Sequence, residues 1–118
     1  MAKHNETGIK GEQIAQNFLQ NKGYNILYTN WCFGKKEVDL IAEKNNLLIF
    51  IEVKTRSNAL FGYPEEAVNA RKIGYLKEAA TEFIDTNPQY KRVQFDIISI
   101  LLSGETIKEI LHFEDAFY

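Results

Sequence analysis

The sequence is poor in cysteine and proline, and it has no long apolar segment. A single cysteine, Cys32, excludes an internal disulfide and is typical of proteins from a reducing cytoplasm. The longest uninterrupted apolar run, Leu47–Ile51, is far shorter than the roughly 20 residues that cross a bilayer. The amino-terminal segment lacks the apolar stretch of a secretory signal. We therefore expect a cytoplasmic protein with no membrane partner.

An excess of positive charge is also missing. The 118 residues include 14 Lys+Arg and 16 Asp+Glu, for a net charge of −2 at pH 7. Proteins that bind nucleic acid through bulk positive charge usually have a domain pI above about 9. The charge balance does not exclude an enzyme that brings a metal ion to a phosphate, because carboxylates then form part of the site.

Hydrophobic and aromatic residues are plentiful, at 45% and 13%, and they are spread along the whole chain. This composition indicates one folded domain over residues 1–118. Periodicity predicts the order α-β-β-β-α-β-β, which is an α/β fold with a mixed sheet and helices on its faces. The predicted elements are a helix over Gly8–Lys22, strands over Tyr24–Trp31, Lys35–Lys44 and Leu47–Arg56, a helix from Pro64 to Thr86, and strands over Arg92–Leu102 and Thr106–Phe113. In an alternative reading, Asn69 caps a separate helix.

The dipeptide Asn45-Asn46 predicts a tight hairpin between the second and third strands. Asn tolerates positive φ, which a two-residue type I′ turn requires. Lys44 then pairs with Leu47, and the same register places Asp39 opposite Glu52. Directly opposed residues share a face, with Cβ atoms roughly 4.5–5.5 Å apart.

The same register adds Glu37 opposite Lys54, so that four charged side chains form one patch. Two facing carboxylates repel each other unless a positive charge intervenes. Lys54 supplies part of that charge, and Mg²⁺ or Mn²⁺ would supply more, since Mg²⁺ is typically held by one or two carboxylates plus waters and phosphates. The alternative is a solvated salt-bridge cluster formed by Glu37–Lys54 and Glu52–Lys54 pairs.

Other polar residues have ordinary structural explanations. Glu12 is an acid in a first helical turn, where the helix dipole favours it. Arg56, Arg71 and Lys72 could contact phosphates, although cations at such positions are mostly solvated. Asp96 needs a hydrogen-bond partner if it is buried, and a structural role is favoured over catalysis.

The sequence resembles a known family through seven short motifs. They are Gly8-x-x-Gly11-Glu12-x-x-Ala15, Gly23-Tyr24, Asn30-Trp31, Glu37-Val38-Asp39-Leu40-Ile41-Ala42, Ile51-Glu52-Val53-Lys54-Thr55-Arg56, Pro64-x-Glu66-Ala67-Val68 and Phe95-Asp96. This set is similar to the YraN-like family of small uncharacterised bacterial proteins. It also resembles the PD-(D/E)XK nucleases, which have a restriction-endonuclease-like αβββαβ core, and the archaeal Holliday junction resolvases among them.

The resemblance implies roles for individual residues. Asp39 and Glu52 would be the principal metal ligands, with the Val53 carbonyl as a third. Lys54 would position the attacking water and stabilise charge on the phosphate. Glu12 would contact the metal through water or help to hold a second ion. All four side chains are expected in one depression at the edge of the sheet.

These inferences predict a Mg²⁺- or Mn²⁺-dependent nuclease-like protein that binds nucleic acid, with DNA, including branched DNA, as the expected partner. The alternative is a nucleic-acid-binding or adaptor module that keeps the fold without catalysis, and RNA is not separated from DNA. The resolvase resemblance also implies a homodimer. Aromatic residues beyond the needs of a small core are consistent with an interface, namely Trp31, Phe33, Phe61, Tyr63, Phe117 and Tyr118. The alternative is that Phe117 packs under the sheet and Phe61 covers a helix.

Overall fold

The computed structural model describes residues 6–57 and 70–117. It contains helices α1 (Glu6–Asn21) and α2 (Ala70–Thr86) and strands β1 (Asn25–Phe33), β2 (Lys36–Lys44), β3 (Leu47–Arg56), β4 (Arg92–Ser103) and β5 (Thr106–Phe117). The predicted order of elements is confirmed. The predicted helix start at Pro64 and the alternative cap at Asn69 lie outside the described residues.

The five strands form one mixed sheet in the order β1-β2-β3-β4-β5. Strands β3 and β4 are parallel, and the other neighbours are antiparallel. Ala15 and Leu19 of α1 pack on one face of the sheet, whereas Leu76 and Phe83 of α2 pack on the other. The predicted α/β class with helices on both faces is confirmed, and the arrangement is compatible with an αβββαβ core. Neither described helix is long and apolar enough to cross a membrane.

The hairpin between β2 and β3 has the predicted turn. Asn45 and Asn46 have φ angles of 54° and 67°, as a type I′ turn requires. Backbone pairing begins at Lys44–Leu47 and ends at Leu40–Ile51. The register is therefore as predicted, but the two strands are no longer paired at Asp39 and Glu52, or at Glu37 and Lys54.

Gly11 allows α1 to lie directly against β3. A Cβ atom added at Gly11 would be 1.9 Å from Thr55 Oγ1 and 2.9 Å from Thr55 Cβ, so no side chain fits there. This close approach brings the adjacent Glu12 toward the end of β3. The sequence motif that contains Gly11 and Glu12 thus has a packing reason for its glycine.

Replacing Gly11 by Ala is expected to destabilise the protein by about 1–3 kcal/mol, the usual cost of overpacking. Helix propensity alone predicts the opposite sign, because Ala is about 1 kcal/mol better than Gly inside a helix. Gly74 is the matched control, since a Cβ atom there meets nothing within 4 Å and Gly74→Ala should stabilise α2. Urea denaturation of both variants gives the comparison. Equal stabilisation by the two substitutions would contradict the packing account.

Strand β5 is longer than predicted, because it continues past Phe113 to Phe117. Its last residues are held by Asp96, which is fully buried. The Asp96 carboxylate accepts hydrogen bonds from the Asp115 backbone N–H at 3.0 Å and from His112 Nε2 at 2.7 Å. The ammonium group of Lys22, which can only donate, lies 2.8 Å from His112 Nδ1 and leaves the proton on Nε2. Asp96 therefore has the structural role that the sequence favoured.

Two of the aromatic residues expected at a dimer interface, Trp31 and Phe33, make contacts with the core. Trp31 and Phe33 pack against the apolar cluster under α2. Trp31 also makes an edge-to-face contact with Phe83, with 5.5 Å between ring centroids. Phe61, Tyr63 and Tyr118 lie outside the described residues. Trp31 and Phe33 are half-buried in these contacts, whereas Tyr28 of the same strand is exposed.

Candidate metal centre

Asp39 lies in the gap where β2 and β3 separate. Its Oδ2 atom accepts a hydrogen bond of 2.8 Å from the backbone N–H of Val53, so a side chain replaces the backbone pairing that ends one residue earlier. Both strands are flanked by neighbours in the sheet. The carboxylate therefore lies between two interior strands, at the point where their backbone pairing ends.

The environment of Asp39 favours its protonated form. Burial is the largest effect and the charge of Glu52 is the second, and together they raise the pKa of Asp39 from 3.8 to about 8. The hydrogen bond from Val53 and the charge of Lys72 oppose this rise in pKa, and the charge of Glu12 adds to it. Burial and the two neighbouring carboxylates thus outweigh the Val53 hydrogen bond and Lys72 in setting the pKa of Asp39.

Glu52 is almost completely buried, with 2% of its surface exposed. Its Oε2 atom lies 3.1 Å from Lys54 Nζ, and its Oε1 atom lies 3.5 Å from Lys72 Nζ. The Glu52–Lys54 pair agrees with the salt-bridge alternative, but the burial of Glu52 does not fit a solvated surface cluster. Within the described residues, Glu52 Oε1 is one of two buried side-chain atoms that lack a hydrogen-bond partner.

The second such atom is Oδ1 of Asn30, a residue that the sequence analysis named in a family motif but did not assign to the site. Asn30 lies between the pairs Thr29–Leu40 and Trp31–Val38, and so faces Asp39 across β1 and β2. Its φ of 52° falls in the left-handed region, which Asn adopts more readily than most residues. An Asn within a predicted strand was the sequence feature that could have indicated a residue with positive φ beside the site.

The donor set around Asp39 suits a hard divalent cation. Asp39 and Glu52 supply carboxylate oxygens, the ligand type that such a cation prefers. Glu52 Oε1 has an ion pair with Lys72 but no hydrogen bond, so a bound ion would give this buried oxygen a direct ligand contact. In an extended strand, the N–H and C=O of one residue point to the same side. The Val53 carbonyl therefore faces the same gap as the Asp39 carboxylate to which its N–H donates.

Protein side chains alone do not complete a metal site in residues 6–57 and 70–117. No three His, Cys, Asp or Glu side chains converge there closely enough to hold an ion. Mg²⁺ usually keeps several waters and uses only one or two carboxylates, so this donor set suits Mg²⁺ or Mn²⁺ better than zinc. Glu12 affects the site through its charge on Asp39. Glu37 is paired with Cys32 of β1, and the backbone pairing of β2 with β3 ends before it reaches Glu37 and Lys54.

Of the three cations predicted to contact phosphates, one lies beside Glu52 and two do not. Lys72 of α2 reaches Glu52, whereas Arg71 is exposed on the same helix and Arg56 is half-buried at the end of β3. Sequence reasoning missed Lys35 and Lys36, which line a cavity of about 610 Å³ together with Lys72. Two adjacent lysines between a glycine turn and an acidic strand were the signal that could have found them.

Comparison with known proteins gives one consistent family. The model of the uncharacterised protein family UPF0102 matches residues 11–100, a range that includes Glu12, Asp39, Glu52 and Lys54. A UPF0102 protein of Flavobacterium psychrophilum is 48% identical over 118 residues, which is 100% of this chain and 98% of that protein. Similar proteins from Phocaeicola vulgatus and Syntrophomonas wolfei are 46% and 43% identical, over 100% and 95% of this chain and 97% of each relative.

Proposed function

We propose that this chain, which belongs to the uncharacterised protein family UPF0102, is a metal-dependent nuclease that hydrolyses phosphodiester bonds in nucleic acid. The observation that carries the proposal is the buried Glu52 carboxylate beside Asp39, which has ion pairs with two lysines but no hydrogen bond to its Oε1 atom. Burial of Glu52 beside an Asp39 whose pKa is raised is costly, and such sites are more often functional than structural. The proposed fold family is PD-(D/E)XK.

Asp39, Glu52 and the Val53 carbonyl would hold Mg²⁺ or Mn²⁺, with Glu12 contacting it through water. When bound, the ion would polarise the phosphate and lower the pKa of the attacking water. Asp39 would have to release its proton to ligate the ion, because only the ionised carboxylate binds a cation. Occupation of Glu52 Oε1 would also release Lys72, whose ammonium group lies 3.5 Å from that atom.

Lys54 would act on the phosphate. Its ammonium group lies 3.1 Å from Glu52 Oε2, and its side chain is 28% exposed. Lys54 can therefore contact both Glu52 and a bound strand. Hydrogen bonds from a lysine to a non-bridging phosphate oxygen stabilise the negative charge that develops during hydrolysis. Glu52 would hold Lys54 in that position before substrate binds.

DNA, including branched DNA, is the proposed substrate. Cleavage of both strands of a duplex would require two copies of the site, so a homodimer belongs to the proposal. The competing function is a binding module without turnover. It is favoured by the ion pairs of Glu52 with Lys54 and Lys72, which already neutralise that carboxylate without a metal.

Cleavage assays separate the two functions. Purified protein is incubated with end-labelled single-stranded, duplex and four-way-junction DNA in Mg²⁺ or Mn²⁺, and with chelator as the blank. The proposal predicts metal-dependent cleavage that falls at least about 100-fold in Lys54→Ala, in line with the loss of one preorganised transition-state contact. Lys108→Ala, an exposed lysine of β5, is the matched control and should cleave normally. Binding of DNA with no cleavage of any substrate would favour the module.

A further inference from the structure

A cavity of about 610 Å³ adjoins the candidate metal centre, between the turn that joins β1 to β2 and helix α2. We call it the lysine pocket, and it is lined by Lys35, Lys36, Glu37, Lys72 and Tyr75 among others. Its volume lies in the range of pockets that bind small molecules and single nucleotides. Lys72 connects the lysine pocket with the candidate metal centre, since it lines the pocket and its Nζ atom is 3.5 Å from Glu52 Oε1.

The lining of the lysine pocket favours an anion. Three lysines and one carboxylate, that of Glu37, line it in a chain whose overall charge is −2. Lys36 also pairs with Glu78 and Lys72 with Glu52, so a phosphate in the pocket would share these ammonium groups with the two carboxylates. A strand bound at the metal centre would have phosphate groups near this pocket, because Lys72 lies at both.

Tyr75 adds a second kind of recognition to the pocket. It is one of the large side chains exposed within the described residues, at 37%. Lys36 Nζ lies 4.7 Å from the centre of the Tyr75 ring, and the same ammonium group pairs with Glu78 of α2. A base could stack on this ring once Lys36 turns from the aromatic face toward a phosphate oxygen.

Cations around an exposed aromatic ring form the arrangement that binds single-stranded nucleic acid. Stacking on an aromatic side chain requires a base that is not enclosed in a duplex, whereas the lysines contact the backbone. A continuous duplex offers the phosphates but no free base face. Only an unpaired nucleotide can therefore contact the lysines with its phosphate and the Tyr75 ring with its base at the same time.

We infer that the lysine pocket binds one unpaired nucleotide of a nucleic-acid strand, with its base on Tyr75 and its phosphate on Lys35, Lys36 and Lys72. This inference rests on the proposed nuclease function, and it names the part of the substrate that lies next to the scissile phosphate. Strands with unpaired residues, such as single strands and frayed or gapped ends, are bound in preference to blunt duplex. DNA and RNA share this chemistry.

Binding in chelator tests the pocket without any catalysis. The probes are a fluorescein-labelled ten-nucleotide DNA strand, the RNA strand of the same sequence, and the blunt DNA duplex, each followed by fluorescence anisotropy with the full chain. Tyr75→Ala is expected to weaken binding of the single strand about tenfold, as loss of one stacked base usually does, and to leave duplex binding within twofold. Tyr75→Phe keeps the ring and should bind as wild type. Phe113→Ala, an aromatic residue of β5 with 36% exposure, is the control for general surface changes.

The outcomes distinguish the pocket from the metal centre. Calorimetric titration with Mn²⁺ should be unchanged in Tyr75→Ala, because Tyr75 lines the pocket and contributes no oxygen to the acidic pair. Single-strand binding that is equally tight in wild type and Tyr75→Ala, with Mn²⁺ binding intact in both, would overturn the pocket and leave the nuclease proposal standing. Absence of both Mn²⁺ and nucleic-acid binding in the wild type would overturn both. A loss with the RNA strand as well as the DNA strand supports a site that accepts either.

Discussion

Asp39→Asn and Glu52→Gln are each expected to weaken binding of Mg²⁺ and Mn²⁺ at least about 100-fold. Each substitution keeps the size of the side chain but removes one of the two negative charges that a hard cation requires. The two residues occupy one gap between β2 and β3, since Asp39 is bonded to Val53 and the charge of Glu52 raises the Asp39 pKa. Calorimetric titration of the purified chain with each metal gives the affinities.

Matched controls make the metal-binding result specific. Asp85→Asn on α2 and Glu109→Gln on β5 carry the same change of charge at exposed positions, and should bind metal as the wild type does. A loss of similar size in these controls would indicate nonspecific attraction by surface acids. Unchanged affinity in either Asp39→Asn or Glu52→Gln would remove that residue from the proposed ligand set.

Metal affinity is also expected to depend steeply on pH, because the pKa of Asp39 is raised to about 8. The ion binds the ionised carboxylate and must displace the proton, so affinity should rise about tenfold per pH unit below pH 8 and level off above it. Titrations with Mn²⁺ from pH 6 to pH 9 test this expectation. A flat profile across that range would mean that Asp39 is already ionised at pH 6.

The same pKa has the opposite consequence for the metal-free protein. Between about pH 4 and pH 8 the folded chain keeps a proton on Asp39 that the unfolded chain releases, so this group makes the folded state less stable as the pH rises. Asp39→Asn removes the dependence. Thermal melts in chelator should therefore find the variant more stable than wild type at pH 8.5, with a difference that shrinks toward pH 4. A variant less stable at pH 8.5 would instead indicate a structural salt-bridge role for Asp39.

The hairpin at the centre of the sheet could be predicted because its determinants are local. Asn45-Asn46 fixes the type I′ turn, and the turn fixes the register from Lys44–Leu47 to Leu40–Ile51. The end of pairing at that point could not be read from the sequence. It depends on the hydrogen bond between the Asp39 side chain and Val53, which competes with backbone pairing only in the folded sheet.

Features that join distant segments were beyond the sequence pattern. Lys72 was singled out as a phosphate contact, yet its ion pair with Glu52 depends on how α2 packs over the sheet. The extension of β5 beyond Phe113 depends on buried Asp96, which holds the Asp115 backbone from the neighbouring strand. In both cases the periodicity identifies the element, and tertiary packing decides which polar groups meet.

The most direct test of the central claim is a crystal structure of the wild-type chain grown with Mn²⁺ near pH 8 and measured at a wavelength where manganese scatters anomalously. The account predicts an anomalous peak within coordination distance of the Asp39 carboxylate, Glu52 Oε1 and the Val53 carbonyl, with Lys72 Nζ moved away from Glu52. Crystals at saturating Mn²⁺ that lack this peak, with Lys72 still paired to Glu52, would contradict it.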